Sequence, residues 1–323
     1  MIFQWPPKMA TFLLVADADF FPGLLAAVAS VRCFHPAEEV IVIDNHLQHR
    51  GLSVSQHAAL QALNARVIPA SALAKEGRKL AAWEIKAYAA EWLSGETRLL
   101  VGLDADAVLC APLHDVLGRA WWEEVFLGGQ DRCPAYGEEF RIYGIETPVM
   151  NDTYMSTSLY VCRTTPRNQQ MLAKWAACCA QAVFGGTGNY PGHGDQGVLN
   201  AILFSHRKEV KVCVLDNELW SQHHVYWQHP LEVREGRLFN VTRQQWQRAL
   251  HCGGTEKFWR PQHAAMLALH PHAMPKYLWF LHMLRNGLKC CAAEPAEVVE
   301  PKFGHLLHDM HRLEKELSEM QSC

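Results

Sequence analysis

Short apolar runs alternate with amphipathic stretches through the first half of the chain. Short apolar runs between turn signals are typical of buried strands, and apolar residues every three to four positions are typical of helices. The alternation of the two predicts an α/β fold, with a mainly parallel, Rossmann-like sheet flanked by helices on both faces. The strands are predicted at residues 11–16, 40–44, 66–68, 98–103 and 125–129, and the helices at residues 24–34, 53–64 and 80–93.

The second half of the chain is less regular. Residues 185–194 (GGTGNYPGHG) are rich in glycine, but they match neither G-x-x-x-x-G-K-[ST] nor G-x-G-x-x-G, the two patterns that bind phosphates. We therefore do not interpret them as a phosphate-binding loop. The other predictions are a loop-rich insertion at residues 133–152, a strand at 158–162, a long helix at 167–184 and a helix at 195–204.

The C-terminal segment differs in character. Residues 294–301 (EPAEVVEP) are typical of a linker, which divides the chain into a main domain, residues 1–290, and a linker with an amphipathic helix, residues 291–323. Three interpretations of this helix stay open: it packs on its own domain, it joins two copies in a homodimer, or it lies on a membrane surface. The mixed charges of its polar face disfavour the membrane surface. Its apolar positions, at steps of four and three, are Leu306, Met310, Leu313, Leu317 and Met320.

Composition narrows the class of protein. The 323 residues have a formal charge of −3, so no basic excess attracts nucleic acid. No uncharged apolar run reaches about 18 residues, so we expect no membrane span. The eleven cysteines contain no C-x-x-C pair, and residues 1–7 hold no apolar core of a signal peptide. We therefore expect free thiols and a cytoplasmic protein.

Carboxylates follow two of the predicted strands. Asp17 and Asp19 follow the first, and Asp104 and Asp106 follow the strand at residues 98–103. Ligands of such sheets bind outside the carboxyl ends of the strands. Two carboxylates one residue apart can reach one divalent cation, and Mg²⁺ and Mn²⁺ prefer such oxygens together with those of phosphate. An Asp after a strand is also a common turn residue, and D-x-D occurs in phosphatases of another fold.

Two later segments carry residues that suit the same chemistry. In HCGGTEKFW, His251 can be a third metal ligand, Gly254 lets backbone N–H groups approach a phosphate, and Lys257 supplies a cation for a diphosphate. In GDQGVLN, Asp195 is either a helix N-cap or, together with Gln196, a group that faces the reacting centre.

Taken in order, these segments resemble glycosyltransferase family 8, the retaining GT-A enzymes that include lipopolysaccharide galactosyl- and glucosyltransferases and glycogenin. LLVADADF resembles the opening strand and nucleotide loop of the family, AAWEIKAYAAEWL its helix before D-x-D, and RLLVGLDADAVLCAPLHDVL its metal-binding segment. MSTSLYVCR lies where the family has an Asn-Ala-Gly strand, GDQGVLNAIL resembles its Asp-Gln-x-x-Leu-Asn helix start, and HCGGTEKFW matches H-x-x-G-x-x-K-x-W. The resemblance covers residues 11–259.

The resemblance implies a GT-A catalytic domain that moves a hexose from a nucleoside diphosphate sugar, commonly a UDP-sugar, to an acceptor hydroxyl with retention of configuration. The acceptor, whether a glycan, a lipid-linked sugar or a protein, stays open. By the resemblance, Asp104, Asp106 and His251 bind Mn²⁺ or Mg²⁺. It further implies donor contacts from Ala16, Asp17, Lys86, Asp131, Gly254 and Lys257, and catalytic roles for Asp195, Gln196 and Lys257.

Two positions depart from the family pattern, and both bear on sugar specificity. Ser156 stands where the family has Asn, and Lys86 stands near a position where an Arg often reaches the donor. Three other functions stay open: a catalytically silent nucleotide-sugar binding module, a D-x-D phosphatase with its nucleophile at Asp17, and a sugar nucleotidyltransferase. The last normally has a basic glycine-rich loop after the first strand, which VADADFFPG lacks.

Overall fold

Thirteen strands and eleven α-helices make up the described part of the chain. The structure, a computed structural model, describes residues 9–47, 50–73, 82–131, 154–181, 194–220, 222–223, 230–234, 237–253, 257–292 and 294–321. The strands are β1 (Ala10–Ala16), β2 (Glu39–Asp44), β3 (Ala65–Pro69), β4 (Leu99–Leu103), β5 (Ala107–Leu109), β6 (Phe126–Gln130), β7 (Met155–Arg163), β8 (Val212–Leu215), β9 (Gln222–His223), β10 (Leu231–Arg234), β11 (Arg237–Asn240), β12 (Gln245–Trp246) and β13 (Ala249–His251).

Seven of these strands form the central sheet, in the order β3-β2-β1-β4-β7-β6-β8. Four neighbouring pairs are parallel, and only β7 runs antiparallel to both of its neighbours, β4 and β6. The prediction of an α/β fold with a mainly parallel sheet is therefore confirmed. Because β1 and β4 are parallel neighbours, their carboxyl ends meet at one edge, where Asp17 and Asp104 follow them.

Helices cover both faces of the central sheet. Strand alternation separates the core into two clusters: Leu14 and Val101 pack on the side of α1 and α9, whereas Leu13 and Leu100 pack on the side of α3, α5 and α6. The helices are α1 (Phe21–Phe34), α2 (Val54–Ala62), α3 (Ala82–Ser94), α4 (His114–Glu123), α5 (Pro166–Gln181), α6 (Asp195–Ser205), α7 (Asn217–Trp220), α8 (His263–Leu269), α9 (Met274–Lys289), α10 (Pro295–Val298) and α11 (Gly304–Gln321).

Two small sheets accompany the central one. Strand β13 pairs antiparallel with β5 and parallel with β9, and β10, β11 and β12 form an antiparallel sheet. The sequence patterns did not predict these short strands. The predicted insertion at residues 133–152 lies outside the described residues, as do all but the last residue of the glycine-rich loop at 185–194.

The C-terminal segment packs against the domain. Residues 294–301, which we interpreted as a linker, include α10, and Val298 and Val299 are each 1 % exposed. Leu306 and Met310 of α11 are also buried in the domain core. The side chains beyond residue 312 are not among those described, so the homodimer and the division at residue 290 stay predictions. No helix in the described ranges is both long and apolar enough to cross a membrane.

Candidate functional site

The D-x-D pair lies at the carboxyl end of β4 and is joined there by a residue from far along the chain. Asp104 directly follows β4, and its backbone N–H donates to the Ser158 carbonyl at 2.8 Å. After Asp106 the chain enters β5, whose antiparallel pairing with β13 sets Ala107 opposite His251. The imidazole of His251 is thereby brought beside both carboxylates.

These three side chains converge. One ligand atom from each of Asp104, Asp106 and His251 lies within 4.8 Å of the other two. His251 Nε2 is 3.4 Å from Asp106 Oδ1 and 3.9 Å from Asp104 Oδ2. Two carboxylate oxygens and one imidazole nitrogen at this spacing fit a divalent cation such as Mn²⁺ or Mg²⁺, which leaves further coordination positions for phosphate oxygens. The donor set therefore fits the metal that the sequence predicts.

Lys257 is buried against the same group. Its ammonium group forms an ion pair with Asp106 Oδ2 and donates to the Cys252 carbonyl at 2.5 Å, and the residue is only 6 % exposed. Burial alone would raise the pKa of Asp106, but the charges of Lys257 and His251 outweigh it and hold that pKa well below its usual range. Asp106 is therefore a carboxylate at neutral pH.

Lys86 of α3 lies on the other side of the pair. Its Nζ is 2.5 Å from Asp104 Oδ1 and 3.4 Å from Asp195 Oδ2, and it donates to the Thr157 carbonyl at 3.0 Å. Burial acts to lower the pKa of Lys86, but the Asp104 and Asp195 carboxylates raise it overall. Lys86 is therefore charged, and it links the D-x-D pair to the start of α6.

Asp195 is the first residue of α6, and Gly194 takes the N-cap position. The interpretation of Asp195 as the N-cap is therefore wrong. Burial raises the pKa of Asp195, the neighbouring Asp104 adds to that effect, and Lys86 opposes it. Asp195 thus combines a buried carboxyl group with an ammonium partner, an arrangement found at reacting centres and in structural ion pairs alike.

Gln196 is held at both ends of its amide. Its Oε1 accepts from the Thr157 backbone N–H at 3.0 Å, and its Nε2 donates to Asp131 Oδ2 at 3.1 Å. Asp131 follows β6, and its own N–H donates to the Tyr154 carbonyl at 2.9 Å. The structure therefore brings Asp131 and Gln196 into direct contact, and Thr157 connects them with Lys86.

Ala16 and Asp17 lie where β1 ends. Asp17 Oδ1 accepts from the backbone N–H groups of Asp19 and Phe20, at 2.8 and 3.2 Å, and caps the short 3₁₀ helix at Ala18–Phe20. The Ala16 carbonyl accepts from the N–H of Asn45, the residue after β2, at 2.8 Å. This end of the site is therefore built mainly from backbone and strand termini.

A cavity of about 490 Å³ opens between these groups, within the size range of small-molecule sites. Seven of the predicted site residues line it, whereas Asp131, Gln196 and His251 do not. Gly254 lies outside the described residues. The lining residues are Leu13, Val15, Ala16, Asp17, Phe20, Asn45, Lys86, Gly102, Leu103, Asp104, Ala105, Asp106, Tyr160, Asp195 and Lys257.

The sequence reasoning missed several residues in this cavity or in contact with its walls. Asn45 directly follows β2, just as Asp104 follows β4, so the rule that found Asp104 could also have found Asn45. Thr157 contacts Lys86 and Gln196 largely through its backbone, which no residue pattern shows. Tyr160 of β7 lies opposite Gly102 of β4, and its ring occupies the space that a side chain at Gly102 would fill.

The fold is the GT-A fold of glycosyltransferases. Among solved structures, the chain is similar to the galactosyltransferase LgtC in complex with donor and acceptor sugar analogues, with a TM-score of 0.54, 15 % identity, and coverage of 89 % of this chain and 98 % of that one. It is also similar to the apo form of the bifunctional glycosyltransferase WbbM, with a TM-score of 0.54, 13 % identity, and coverage of 85 % and 52 %. No family model matches the sequence, and no curated protein matches it significantly.

Proposed function

We propose that the protein is a metal-dependent glycosyltransferase that moves a hexose from a UDP-sugar to an acceptor hydroxyl, with retention of configuration. The observation that carries the proposal is the convergence of Asp104, Asp106 and His251 at the carboxyl edge of a GT-A sheet, beside the partly buried Lys86 and the buried Lys257. The cavity that Asp104 and Asp106 line is of a size that a nucleotide sugar requires.

The arrangement suggests how the donor lies. The diphosphate would lie against Asp104, Asp106 and His251 through Mn²⁺ or Mg²⁺, with Lys257 beside it; a contact from Gly254 is what the family resemblance implies. The nucleoside would lie along the wall made by Ala16 and Asp17, and the sugar towards Asp195, Gln196 and Asp131. Asp17, Asp104, Asp195 and Lys257 line one and the same cavity, which supports this placement of the donor.

The leaving group would be stabilised electrostatically. As the bond between the anomeric carbon and the β-phosphate oxygen breaks, negative charge grows on that phosphate. A bound divalent ion supplies Lewis-acid stabilisation of this charge. Lys257 is already charged, buried and fixed by the Cys252 carbonyl, so its ammonium requires little reorganisation to act on the same charge.

Retention fits a same-face attack better than a covalent one in this site. The acceptor oxygen would bond to the anomeric carbon as the phosphate leaves, and a phosphate oxygen would take the acceptor's proton. Gln196 is a poor nucleophile and both ends of its amide are engaged, while Asp195 is paired with Lys86. Asp195 would then support a cationic transition state; trapping a glycosyl adduct on Asp195 would establish the covalent route instead.

The phosphatase alternative is disfavoured by the use of Asp17. A nucleophilic carboxylate needs a free oxygen aimed at the substrate, whereas Asp17 Oδ1 caps two backbone N–H groups.

We also propose that the protein is cytoplasmic, because the nine described cysteines are free thiols.

A donor panel tests the proposal. Thermal stability and release of free nucleotide would be measured with UDP-glucose, UDP-galactose and their GDP counterparts, first with Mn²⁺ and then with EDTA. We expect one UDP-sugar to stabilise the protein and to be hydrolysed slowly, only with metal. Stabilisation without hydrolysis or transfer would favour the silent binding module, and phosphate release from a simple phosphomonoester would favour the phosphatase.

A further inference from the structure

The four carboxylate oxygens of the D-x-D pair are divided between two kinds of partner. His251 Nε2 lies near one oxygen of each carboxylate, 3.4 Å from Asp106 Oδ1 and 3.9 Å from Asp104 Oδ2. Each of the other two oxygens is held by a lysine: Asp104 Oδ1 by Lys86 at 2.5 Å, and Asp106 Oδ2 by Lys257. A divalent cation beside His251 would therefore meet one oxygen of each carboxylate while the lysines keep the other.

Lys86 is fixed independently of Asp104. Its Nζ donates to the carbonyl and the hydroxyl of Thr157, at 3.0 and 3.3 Å, and forms an ion pair with Asp195 at 3.4 Å. Its side chain is only 14 % exposed. Without this ammonium, Asp104 and Asp195 would face each other as like charges in a partly buried site, which is unfavourable.

The charges around the metal-binding group nearly cancel. Among the described residues that ion pairs link to the D-x-D pair, the three carboxylates of Asp104, Asp106 and Asp195 face the two ammonium groups of Lys86 and Lys257. A divalent ion alone is therefore attracted by a single net negative charge. A divalent ion that enters together with a UDP-sugar adds no net charge, since the diphosphate offsets it. Because charges interact strongly away from water, the lysines favour joint binding.

We propose that Lys86 is a positioning residue that couples the affinity for the divalent ion to the presence of the diphosphate. It acts as the counter-ion of Asp104 and Asp195, and it sets the metal affinity through Asp104 rather than by contact with the donor. The inference rests on the proposed function, and it assigns Lys86 a role other than the donor contact that the family resemblance implies.

Binding of Mn²⁺ tests this role without an activity assay. The electron paramagnetic resonance signal of free Mn²⁺ would be titrated with protein, with and without UDP. We expect UDP to raise the Mn²⁺ affinity of the wild type by at least about tenfold. Lys86→Met should raise the affinity for Mn²⁺ alone by at least about tenfold and reduce the enhancement by UDP to less than about threefold. Lys211→Met, the same change at an exposed lysine outside the cavity, should leave both values unchanged.

A second variant should change the Mn²⁺ affinity in the opposite direction. Asp195→Asn removes a negative charge that is not among the three converging ligands, so it should weaken the binding of Mn²⁺ alone. If thermal melting shows that Lys86→Met does not fold, the Mn²⁺ affinity of Asp195→Asn tests the role of Lys86 in its place. Unchanged or weakened Mn²⁺ binding in folded Lys86→Met, or unchanged binding in Asp195→Asn, would overturn the role of Lys86. No Mn²⁺ binding by the wild type, with or without UDP, would instead contradict the proposed function.

Discussion

Ala107 and His251 are partners in the antiparallel pairing of β5 with β13. This pairing, reinforced by the hydrogen bond from the Cys252 N–H to the Asp106 carbonyl at 2.8 Å, joins a late segment of the chain to the end of β4. The candidate metal group is therefore shared between the central sheet and a small accessory sheet. Its geometry depends on the packing that supports both.

Gly23 provides part of that support, and its replacement should perturb the site. A Cβ at Gly23 would overlap the ring of Trp259 and come within 2.6 Å of the Ala105 carbonyl, between the two metal-binding carboxylates. We expect Gly23→Ala to lower the free energy of unfolding by about 1–3 kcal/mol and to weaken Mn²⁺ binding. Gly118→Ala is the matched control, because nothing lies within 4 Å of a Cβ there.

In Gly118→Ala, the helix propensity of alanine should raise the free energy of unfolding by up to about 1 kcal/mol. Chemical denaturation of the two variants measures the difference. Equal effects of the two substitutions on stability would show that the contact between α1 and the D-x-D turn is not tight.

Lys257 should act on the rate of the transfer reaction. Because its ammonium lies where charge is expected to develop, Lys257→Met should lower kcat by roughly 10²–10³, the range for a lost stabilising donor. Lys208→Met, at an exposed lysine, is the control and should leave kcat unchanged. Steady-state kinetics with the donor found in the panel provide the measurement, and wild-type kcat and KM in Lys257→Met would exclude the role.

The C-terminal segment should be held by its apolar side chains rather than by its surface charges. Phe303 is 4 % exposed, whereas Lys302 forms a solvent-exposed ion pair with Asp19. We expect Phe303→Ala to cost about 3–5 kcal/mol of unfolding free energy. Lys302→Ala should cost no more than about 1 kcal/mol. Urea denaturation compares the two, and a small effect of Phe303→Ala would mean that residues beyond 290 behave as a separate linker and tail.

Lys276 should make the stability depend on pH. Burial lowers the pKa of Lys276 to about 7, below its value in the unfolded chain. Between pH 7 and about 10.4 the unfolded chain therefore binds the proton more tightly, and the free energy of unfolding should rise with pH over this window. Lys276→Met should stabilise the protein at pH 6 by several kcal/mol, since one pKa unit corresponds to about 1.4 kcal/mol.

The control for this prediction is Lys289→Met on the same helix, where the side chain is exposed. Urea denaturation at pH 6 and pH 9 would be compared for the three proteins. If Lys276→Met keeps the pH dependence of the wild type, the buried lysine is not its source.

The sequence predicted the fold best where an apolar run spans a whole buried strand. The apolar runs that became β1, β2 and β4 were predicted to within a residue or two, because each is buried on both faces. Helix α9 was missed although its buried Tyr277, Phe280 and Leu284 recur at helical spacing. The three-residue strands β5 and β13 are too short for any periodicity, so their pairing could not be predicted.

The residues of the candidate site likewise fall into those that the sequence predicts and those that only the tertiary structure reveals. Asp17 and Asp104 could be singled out because both follow strands that meet at one edge of the sheet. His251 and Lys257 were found from the pattern of a segment that is far from the D-x-D pair in the sequence. Only the pairing of β5 with β13 brings that segment next to the pair. The link from Lys86 through Thr157 to Gln196 rests on tertiary contacts with backbone atoms, which leave no mark on residue types.

The most direct test of the account is a crystal of the protein grown with Mn²⁺ and UDP, with the ion located by its anomalous scattering. The account predicts one peak within about 2.4 Å of an oxygen of Asp104, an oxygen of Asp106 and His251 Nε2, with the diphosphate completing the coordination. His251→Gln should weaken or remove the peak, while His311→Gln, at an exposed position of α11, should leave it. A peak elsewhere, or bound UDP with no peak at these three residues, would contradict the proposed metal-dependent glycosyltransferase site.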